Sequence, residues 1–273
     1  MGARLPGIES RPGMTETTID LRVSDGITHV TLARPDVRNA FNAAVILELH
    51  ETFTRIAAAD DVRAVVLAGE GKVFCGGADV NWMRESLELT FEENAIDAER
   101  MSDMFRAIDN CPQPVIGRIH GAALGGGAGL TACCDIAIAS DDTIFGFTEV
   151  KLGIIPAVIS PFALAKIGRS AARELFLTGA RFSAARAREI GLVHAVVPAT
   201  DLDAAVLKYI DELQTAGPDA IAAAKALIPR VWARSPADAA PITSAAIAER
   251  RVSPEGQEGL RAFLDKNTPG WHR

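Results

Sequence analysis

Three consecutive glycines, Gly125, Gly126 and Gly127, carry the strongest chemical signal in this sequence. They follow the apolar stretch 115–119, which is typical of a buried strand, and the alanine- and leucine-rich start of a helix follows them. Glycine has no Cβ, so its backbone N–H approaches a ligand closely. The first amides of a helix are also unbonded and lie at the positive end of its dipole. The segment therefore predicts a turn that stabilises negative charge.

A lone carboxylate further along the chain complements this turn. Glu149 stands in the otherwise apolar segment FGFTEVKLGIIP, residues 145–156. Burial among apolar side chains would raise the pKa of this carboxyl group, because burial disfavours the charged form. Glu149 is therefore a candidate base beside an anion-stabilising turn.

A second glycine pair, Gly76 and Gly77, lies in the segment VFCGGADVNWM, residues 73–83. By itself such a pair is more typical of an ordinary hairpin turn. Together with the glycine triplet and Glu149, we interpret it as part of the same site. The triplet also loosely imitates a dinucleotide-binding loop, but no G-x-G-x-x-G follows the first strand, so that alternative is weak.

The hydrophobic pattern predicts the elements that position these residues. Residues 19–23 and 27–33 alternate around Asp25-Gly26, which indicates a hairpin. Asn42 is placed to cap the next helix. The predicted helices cover 43–59, 91–110, 159–177 and 184–190, the further predicted strands cover 63–67, 115–119 and 192–197, and everything after residue 202 is predicted as helix with breaks at Pro218, Pro236 and Pro254. Strands separated by helices favour parallel pairing with right-handed crossovers.

Composition excludes several classes of protein. The formal charge of −7 opposes general nucleic-acid binding. No apolar run reaches the roughly 18 residues of a membrane span, so no membrane association is expected. The four cysteines, Cys75, Cys111, Cys133 and Cys134, lack metal-ligand spacing, and we interpret them as reduced thiols of a cytoplasmic protein.

Three motifs in order make this sequence similar to the crotonase (enoyl-CoA hydratase/isomerase) family: VFCGGAD at 73–79, GAALGGGAGL at 121–130 and FGFTEVKLGIIP at 145–156. The segments RPDVRNAFN at 34–42 and LTGARFSAARAREIGLVHAVVP at 177–198 match as well. The resemblance implies an α/β fold, a spiral of ββα units followed by a C-terminal helical region that builds trimers or dimers of trimers. We divide the chain accordingly into a loose tail at 1–15, a spiral core at 16–200 and helices at 201–273.

The resemblance also implies an acyl-CoA thioester as substrate, with no metal or redox cofactor. The backbone amides of Ala78 and Gly126 would form the oxyanion hole, and Glu149 would act as the acid and base. By similarity, residues that contact coenzyme A or the acyl group would be Arg38, Ala40, Ala78, Asp79, Val80, Asn81, Trp82, Gly126 and Lys266, the last reaching from a neighbouring subunit. For Arg38 and Lys266, a solvated surface charge is an equally good interpretation.

One departure from the family pattern bears on the reaction. Hydratases of this family commonly carry a second glutamate in the helix after the glycine triplet, where this chain has Gly129. Isomerases of the family use one glutamate, so the single Glu149 favours isomerisation on grounds of mechanism. We expect the substitution Gly129→Glu to leave the fold intact if Gly129 marks a vacated catalytic position.

A finer resemblance favours hydration. The loop VKLGIIPAVISPF after Glu149 is similar to the bacterial branch of 3-methylglutaconyl-CoA hydratases of leucine degradation, or to its carboxygeranoyl-CoA relatives. Those substrates carry a distal carboxylate, for which Arg84 and Lys151 are the candidate counter-charges. The sequence thus predicts an enoyl-CoA hydratase first and a Δ3,Δ2-enoyl-CoA isomerase second. Other chemistry of the family, thioester hydrolysis or C–C cleavage, is a third alternative. A non-catalytic acyl-CoA binder also stays open, although an unpaired buried carboxylate is costly without a use.

Overall fold

The computed structural model describes residues 17–272, so the predicted tail at 1–15 lies outside the described residues. The chain begins with the hairpin β1 (Ile19–Ser24) and β2 (Ile27–Leu32), which pair antiparallel as predicted. Asp25 and Gly26 both have positive φ, 51° and 76°, which fits the tight turn between these strands. The hairpin opens the main sheet.

The main sheet has six strands in the order β1-β2-β3-β4-β6-β9, and every pair after the first hairpin is parallel. The added strands are β3 (Ala64–Gly69), β4 (Val115–Ile119), β6 (Ile136–Ser140) and β9 (Ala195–Val197). A second sheet, which the sequence did not predict, joins β5 (Ala122–Leu124), β7 (Ile144–Gly146) and β8 (Arg181–Ser183) in that order. Each of its strands has three residues, too short for a hydrophobic pattern.

Helices cover both faces of the main sheet. Those of the first two-thirds of the chain are α1 (Ala43–Ala57), α2 (Val80–Glu85), α3 (Phe91–Asp109), α4 (Gly126–Cys133), α5 (Ser160–Thr178) and α6 (Ala184–Glu189). Asn42 caps α1 by accepting a hydrogen bond from the Val45 amide, as predicted. The sequence predicted one continuous helix over 159–177, but α5 is interrupted at Gly168, which leaves the helical conformation (φ 69°, ψ 170°).

The last third of the chain is helical: α7 (Leu202–Gln214), α8 (Pro218–Val231), α9 (Pro236–Val252) and α10 (Pro254–Leu264). Pro218, Pro236 and Pro254 occupy the first helical positions, where a missing N–H costs nothing, so they begin helices rather than only interrupting one. The architecture predicted from the sequence, an α/β core followed by a helical C-terminal region, is confirmed.

Two apolar clusters hold the layers together. Strand β3 shows how they are divided, since Val65 and Leu67 face the cluster under α1, α3 and α4, while Ala64 and Val66 face a second cluster. Leu202, Val206 and Ile210 of α7 complete the second cluster. The alternation along β3 follows from the two-residue period of a strand. It places α7 on one side of the sheet and the glycine triplet on the other.

Candidate active site

The glycine triplet forms the start of α4. Gly125 is the N-cap, with φ 50° and ψ −117°. A residue with a side chain would be strained in this conformation. No side chain caps the helix here. Within residues 17–272 the Gly126 amide donates no hydrogen bond. The positive end of α4 is therefore left available to an acceptor.

The second glycine turn runs beside the first. Cys75 and Ala123 form a parallel bridge, in which the Cys75 amide donates to the Ala122 carbonyl (3.0 Å) and the Leu124 amide donates to the Cys75 carbonyl (3.1 Å). Further along the two segments, Ala78 directly follows Gly77 and Gly126 directly follows Gly125. The turns stay close along the way, because a Cβ added to Gly125 would lie 4.0 Å from the Cα atom of Gly77.

The Ala78 amide is directed away from its other neighbour. Phe41 and Ala78 form a second parallel bridge, in which the Phe41 amide donates to the Gly77 carbonyl and the Asp79 amide donates to the Phe41 carbonyl, both at 2.7 Å. In such a bridge the N–H of the middle residue, Ala78, faces the opposite side. Among the described residues it has no acceptor. Two unbonded amides, at 78 and 126, therefore lie on adjacent segments, and their role as an oxyanion hole stays a prediction.

Glu149 lies at this pair of turns. It is half-buried at the start of a 3₁₀ turn, Glu149–Leu152, and a Cβ added to Gly125 would lie 3.4 Å from its Oε1 atom. Its Oε2 atom is buried, and no described residue donates a hydrogen bond to it. Burial raises the pKa of this carboxyl group, although a hydrogen bond from its own backbone amide acts in the opposite direction. A carboxylate held in this way favours accepting a proton.

Gly129 is enclosed, which corrects one expectation from the sequence. A Cβ at this position would lie 2.4 Å from Cγ2 of Ile159, 3.0 Å from its Cβ and 3.1 Å from Cζ of Phe105. The branched Ile159 side chain is itself buried and cannot move aside easily. Gly129→Glu is therefore expected to disrupt the packing rather than to leave the fold intact. This position is a packing contact between α4 and the start of α5.

The predicted coenzyme A residues fall into two groups. Those before residue 83 lie together, since the Gly76 amide donates to the Arg38 carbonyl (2.8 Å) and Ala40 directly precedes the bridge between Phe41 and Ala78. Arg38, Ala78, Val80 and Asn81 are exposed, whereas Ala40 and Asp79 are buried. Lys266 lies after α10, exposed and without a described contact to this group. Its predicted role from a neighbouring subunit stays a prediction.

Trp82 and the neighbouring helix border a cavity of about 350 Å³. The Trp82 indole donates to Asp97 Oδ2 (3.3 Å), and its ring packs partly against the main core. The cavity is lined by the apolar Ala43, Trp82, Leu89 and Ile96, and by the polar Glu85, Ser86, Glu93, Asp97 and Arg100. The predicted counter-charges for a distal carboxylate lie elsewhere. Arg84 donates to Asn81 and both it and Lys151 are exposed.

The sequence did not predict two residues that shape the site, Arg34 and Phe41. Arg34 forms an ion pair with Asp79 (2.8 Å), and the Phe41 ring packs against Gly126, where an added Cβ would lie 2.4 Å from Phe41 Cε2. Both belong to the segment RPDVRNAFN, which carries part of the family resemblance. That segment was the available signal, but its contacts depend on long-range pairing.

The mixed α/β core with its helical C-terminal region is a crotonase fold, since solved structures of this class superpose on nearly the whole chain. The sequence profile of the enoyl-CoA hydratase/isomerase family matches residues 22–273, and this chain belongs to that family. Membership of this family supports an acyl-CoA thioester as the substrate and hydratase or isomerase chemistry as the reaction.

Solved structures and sequence relatives agree with this assignment. The chain is similar to an enoyl-CoA hydratase from Shewanella pealeana, with 38% identity and a TM-score of 0.90 over 93% of this chain and 96% of the other. A Mycobacterium smegmatis enoyl-CoA hydratase gives 34% identity and a TM-score of 0.89 over 94% and 100% of the two chains. The mitochondrial enoyl-CoA hydratase domain-containing protein 3 of Mus musculus is 28% identical over 265 residues, which covers 97% of this chain and 86% of that protein. Between residues 17 and 272, no helix has the length and apolar character needed to cross a membrane.

Proposed function

We propose that this protein adds water reversibly to a 2-enoyl-CoA, with Glu149 as the acid and base. One observation carries the proposal: a carboxyl group with an unpartnered buried oxygen lies beside two glycine turns whose amides at 78 and 126 are unbonded. The thioester oxygen would accept hydrogen bonds from both amides as it becomes an enolate. Removal of one donor from the oxyanion hole of a serine protease costs about 10²–10³ in turnover, which sets the scale expected here.

A single carboxylate is sufficient for a balanced hydration. Glu149 takes a proton from a water molecule while the water oxygen bonds to C3, and the π electrons move to C2 and the thioester oxygen. Glu149 then returns the proton to C2, so the net change is H on C2 and OH on C3. Its raised pKa suits both halves of this cycle, because it must give up a proton as readily as it takes one.

Isomerisation is the second candidate, and Gly129 favours it. Because Ile159 and Phe105 enclose Gly129, no carboxylate fits at this position, where many hydratases of the family carry one. With Glu149 alone, the protein would take a proton from C2 of a 3-enoyl-CoA and return it to C4. That reaction needs no water in the site.

Coenzyme A binding is proposed for the surface around the second glycine turn. The exposed Arg38 and Asn81, together with Val80, Trp82 and the backbone near Ala40, Ala78 and Asp79, would contact the pantetheine and nucleotide, with Lys266 reaching the phosphates from another subunit. No metal or redox cofactor takes part in the proposed reaction. The exposed apolar side chains of the C-terminal helices support a homotrimer or dimer of trimers, since Ile228, Trp232, Val252, Phe263 and Leu264 are all uncovered in one chain.

The acyl group is the least constrained part of the substrate. A 3-methylglutaconyl-like group, as in leucine degradation, is supported by the loop after Glu149. An acyl group that entered the cavity beside Trp82 would meet three carboxylates, Glu85, Glu93 and Asp97, and one guanidinium that is already paired with Asp97 (3.3 Å). Like charges disfavour an anionic tail there, so we favour a neutral acyl group.

A substrate panel tests the proposal. The protein is incubated with crotonyl-CoA, a 3-enoyl-CoA and 3-methylglutaconyl-CoA, and the products are identified by mass and retention time. A mass gain of one water on crotonyl-CoA supports hydration, and conversion of the 3-enoyl-CoA without a mass change supports isomerisation. The variant Glu149→Gln should lose at least about 10²-fold in turnover while it still binds CoA esters.

A binding-only protein is separated by proton exchange. With saturated butyryl-CoA in D₂O, the proposed site exchanges the α-protons, because Glu149 removes them and the amides stabilise the enolate. Absence of exchange together with absence of turnover on all three thioesters would refute the proposed catalysis. Unchanged turnover in Glu149→Gln would remove Glu149 from the mechanism.

A further inference from the structure

Arg34 connects the two chain segments that meet at the second glycine turn. It stands directly before the 3₁₀ turn Pro35–Val37, and its guanidinium donates to the Ala40 carbonyl (2.6 Å) and to Oδ2 of Asp79 (2.8 Å). The Asp79 side chain is only 7% exposed and that of Arg34 21%. The other carboxylate oxygen of Asp79 accepts from the Asn81 amide (2.8 Å).

The two acceptors of Arg34 flank the bridge that orients the Ala78 amide. Ala40 directly precedes Phe41, and Asp79 directly follows Ala78. Phe41 and Ala78 are the bridged residues themselves. One planar guanidinium thus fixes the spacing of both strands of this bridge, and through it the direction of the Ala78 N–H.

The same bridge also reaches the second amide. The Phe41 ring lies so close to Gly126 that an added Cβ would be 2.4 Å from Cε2 and 2.6 Å from Cδ2. The Phe41 ring also makes an edge-on contact with Phe105, with ring centroids 6.1 Å apart. A shift of the Phe41 segment would therefore move the ring against Gly126, the first residue of α4.

We propose that Arg34 is a positioning residue that sets the relation between the Ala78 and Gly126 amides, acting through Asp79 and Phe41. This assignment rests on the proposed function of those amides. Arginine suits the role because its fork donates two hydrogen bonds in fixed directions, whereas a lysine ammonium offers a point charge on a flexible stem. Asp79 accepts from Arg34 with one carboxylate oxygen and caps α2 with the other, so both oxygens are bonded within the protein.

The expected effect follows from how sharply such hydrogen bonds depend on position. Displacement of a catalytic group by about 1 Å costs on the order of 10²-fold in rate. Arg34→Lys keeps the charge but holds only one of the two acceptors firmly. We expect kcat to fall about 10- to 100-fold and KM to rise by a smaller factor, because Arg34 touches only part of the proposed coenzyme A surface and leaves Arg38 and Asn81 in place.

The experiment compares Arg34→Lys with a matched control, Arg186→Lys. Arg186 also forms a fork, donating to Glu174 (2.8 Å) and Glu189 (2.6 Å), but these contacts lie on α5 and α6. For each variant we measure kcat, KM, Tm and the infrared carbonyl band of bound butyryl-CoA labelled with ¹³C at the thioester carbon. Hydrogen bonds to the thioester oxygen lower the frequency of this band, so the band reports the amides directly.

The outcomes separate the possibilities. We expect the wild-type protein and Arg186→Lys to shift the band to lower frequency and Arg34→Lys to lose at least half of that shift. Asp79→Asn serves if Arg34→Lys does not fold, and it should lose part of the shift because it breaks the ion pair. Wild-type kcat and band shift in either variant would overturn the assignment of Arg34 alone. An unshifted band in the wild-type protein would overturn the proposed oxyanion hole and this assignment with it.

Discussion

The substitution Gly129→Ala tests how tightly α4 packs against α5. Gly129 lies inside α4 with its Cα facing Ile159 and Phe105. An added methyl group would be 2.4 Å from Ile159 Cγ2, well inside van der Waals contact, and Ile159 is only 3% exposed. The chain must shift around the new group.

The magnitude follows from two opposing terms. Overpacking of a filled core costs about 1–3 kcal/mol, and the short contact at Gly129 puts this case at the upper end. Alanine gains about 1 kcal/mol over glycine inside a helix. We therefore expect the free energy of unfolding to fall by about 2 kcal/mol, which corresponds to a decrease in Tm of about 5 °C.

The assay is a double-mutant cycle followed by chemical and thermal denaturation. Ile159→Ala alone should cost about 2–5 kcal/mol, because it leaves a cavity. In the double variant the new methyl group at 129 occupies part of that cavity, so the combined cost should be about 2 kcal/mol smaller than the sum of the single costs. Leu175→Ala, a buried position in the part of α5 beyond the break at Gly168, serves as the control and should combine additively with Gly129→Ala.

Two results would refute this reasoning. The first is a Gly129→Ala variant at least as stable as the wild-type protein, which would mean that Ile159 yields without cost. The second is strict additivity of Gly129→Ala and Ile159→Ala. Either result would reopen the helix as a place for a second carboxylate.

Three further predictions concern the site and the core. Glu149→Gln should raise Tm at neutral pH and lose this advantage in acid. Burial raises the pKa of Glu149 in the folded protein, so ionisation of this carboxyl group destabilises the fold as the pH rises through that pKa. A Tm that does not increase at pH 7 would contradict the burial argument. Gly125→Ala should lower the free energy of unfolding by on the order of 1–3 kcal/mol, since a φ of 50° disfavours a side chain. It should also lower kcat, because the methyl group would lie 3.4 Å from Glu149 Oε1. Full turnover would mean that this turn tolerates a side chain. Native protein at pH 8 should resist alkylation at its four buried cysteines and should react fully in denaturant. Burial raises the thiol pKa to about 12 in Cys75, about 11 in Cys111 and about 12 in Cys134. Rapid labelling of the native state would show that the core opens.

Local chemistry made most of the secondary structure predictable. The alternation around Asp25-Gly26 and the cap at Asn42 act within a few residues, and both are confirmed. The break at Gly168 was missed, because a single glycine within an apolar pattern does not by itself end a helix. The second sheet was missed because its short strands are defined by their partners rather than by their own pattern.

The candidate site was only partly predictable for the same reason. Glu149 and both glycine turns stand out in the sequence because glycine clusters and a lone acid in an apolar segment are unusual residue choices. The enclosure of Gly129 was not predictable, since Ile159 lies 30 residues away and meets it only in the folded chain. The ion pair between Arg34 and Asp79 likewise joins residues 45 positions apart.

The sequence by itself determined the parts of this protein that depend on residue type: turns that only glycine adopts without strain, one acid among apolar neighbours, and caps that begin helices. The tertiary structure alone decided how those parts meet. Parallel pairing through Cys75 and Ala123 brings the two glycine turns beside each other, and no local pattern specifies which strands will pair. The physical reason is that backbone hydrogen bonds between distant segments form only when the whole core buries its apolar faces, so the geometry of the site is a property of the packed fold.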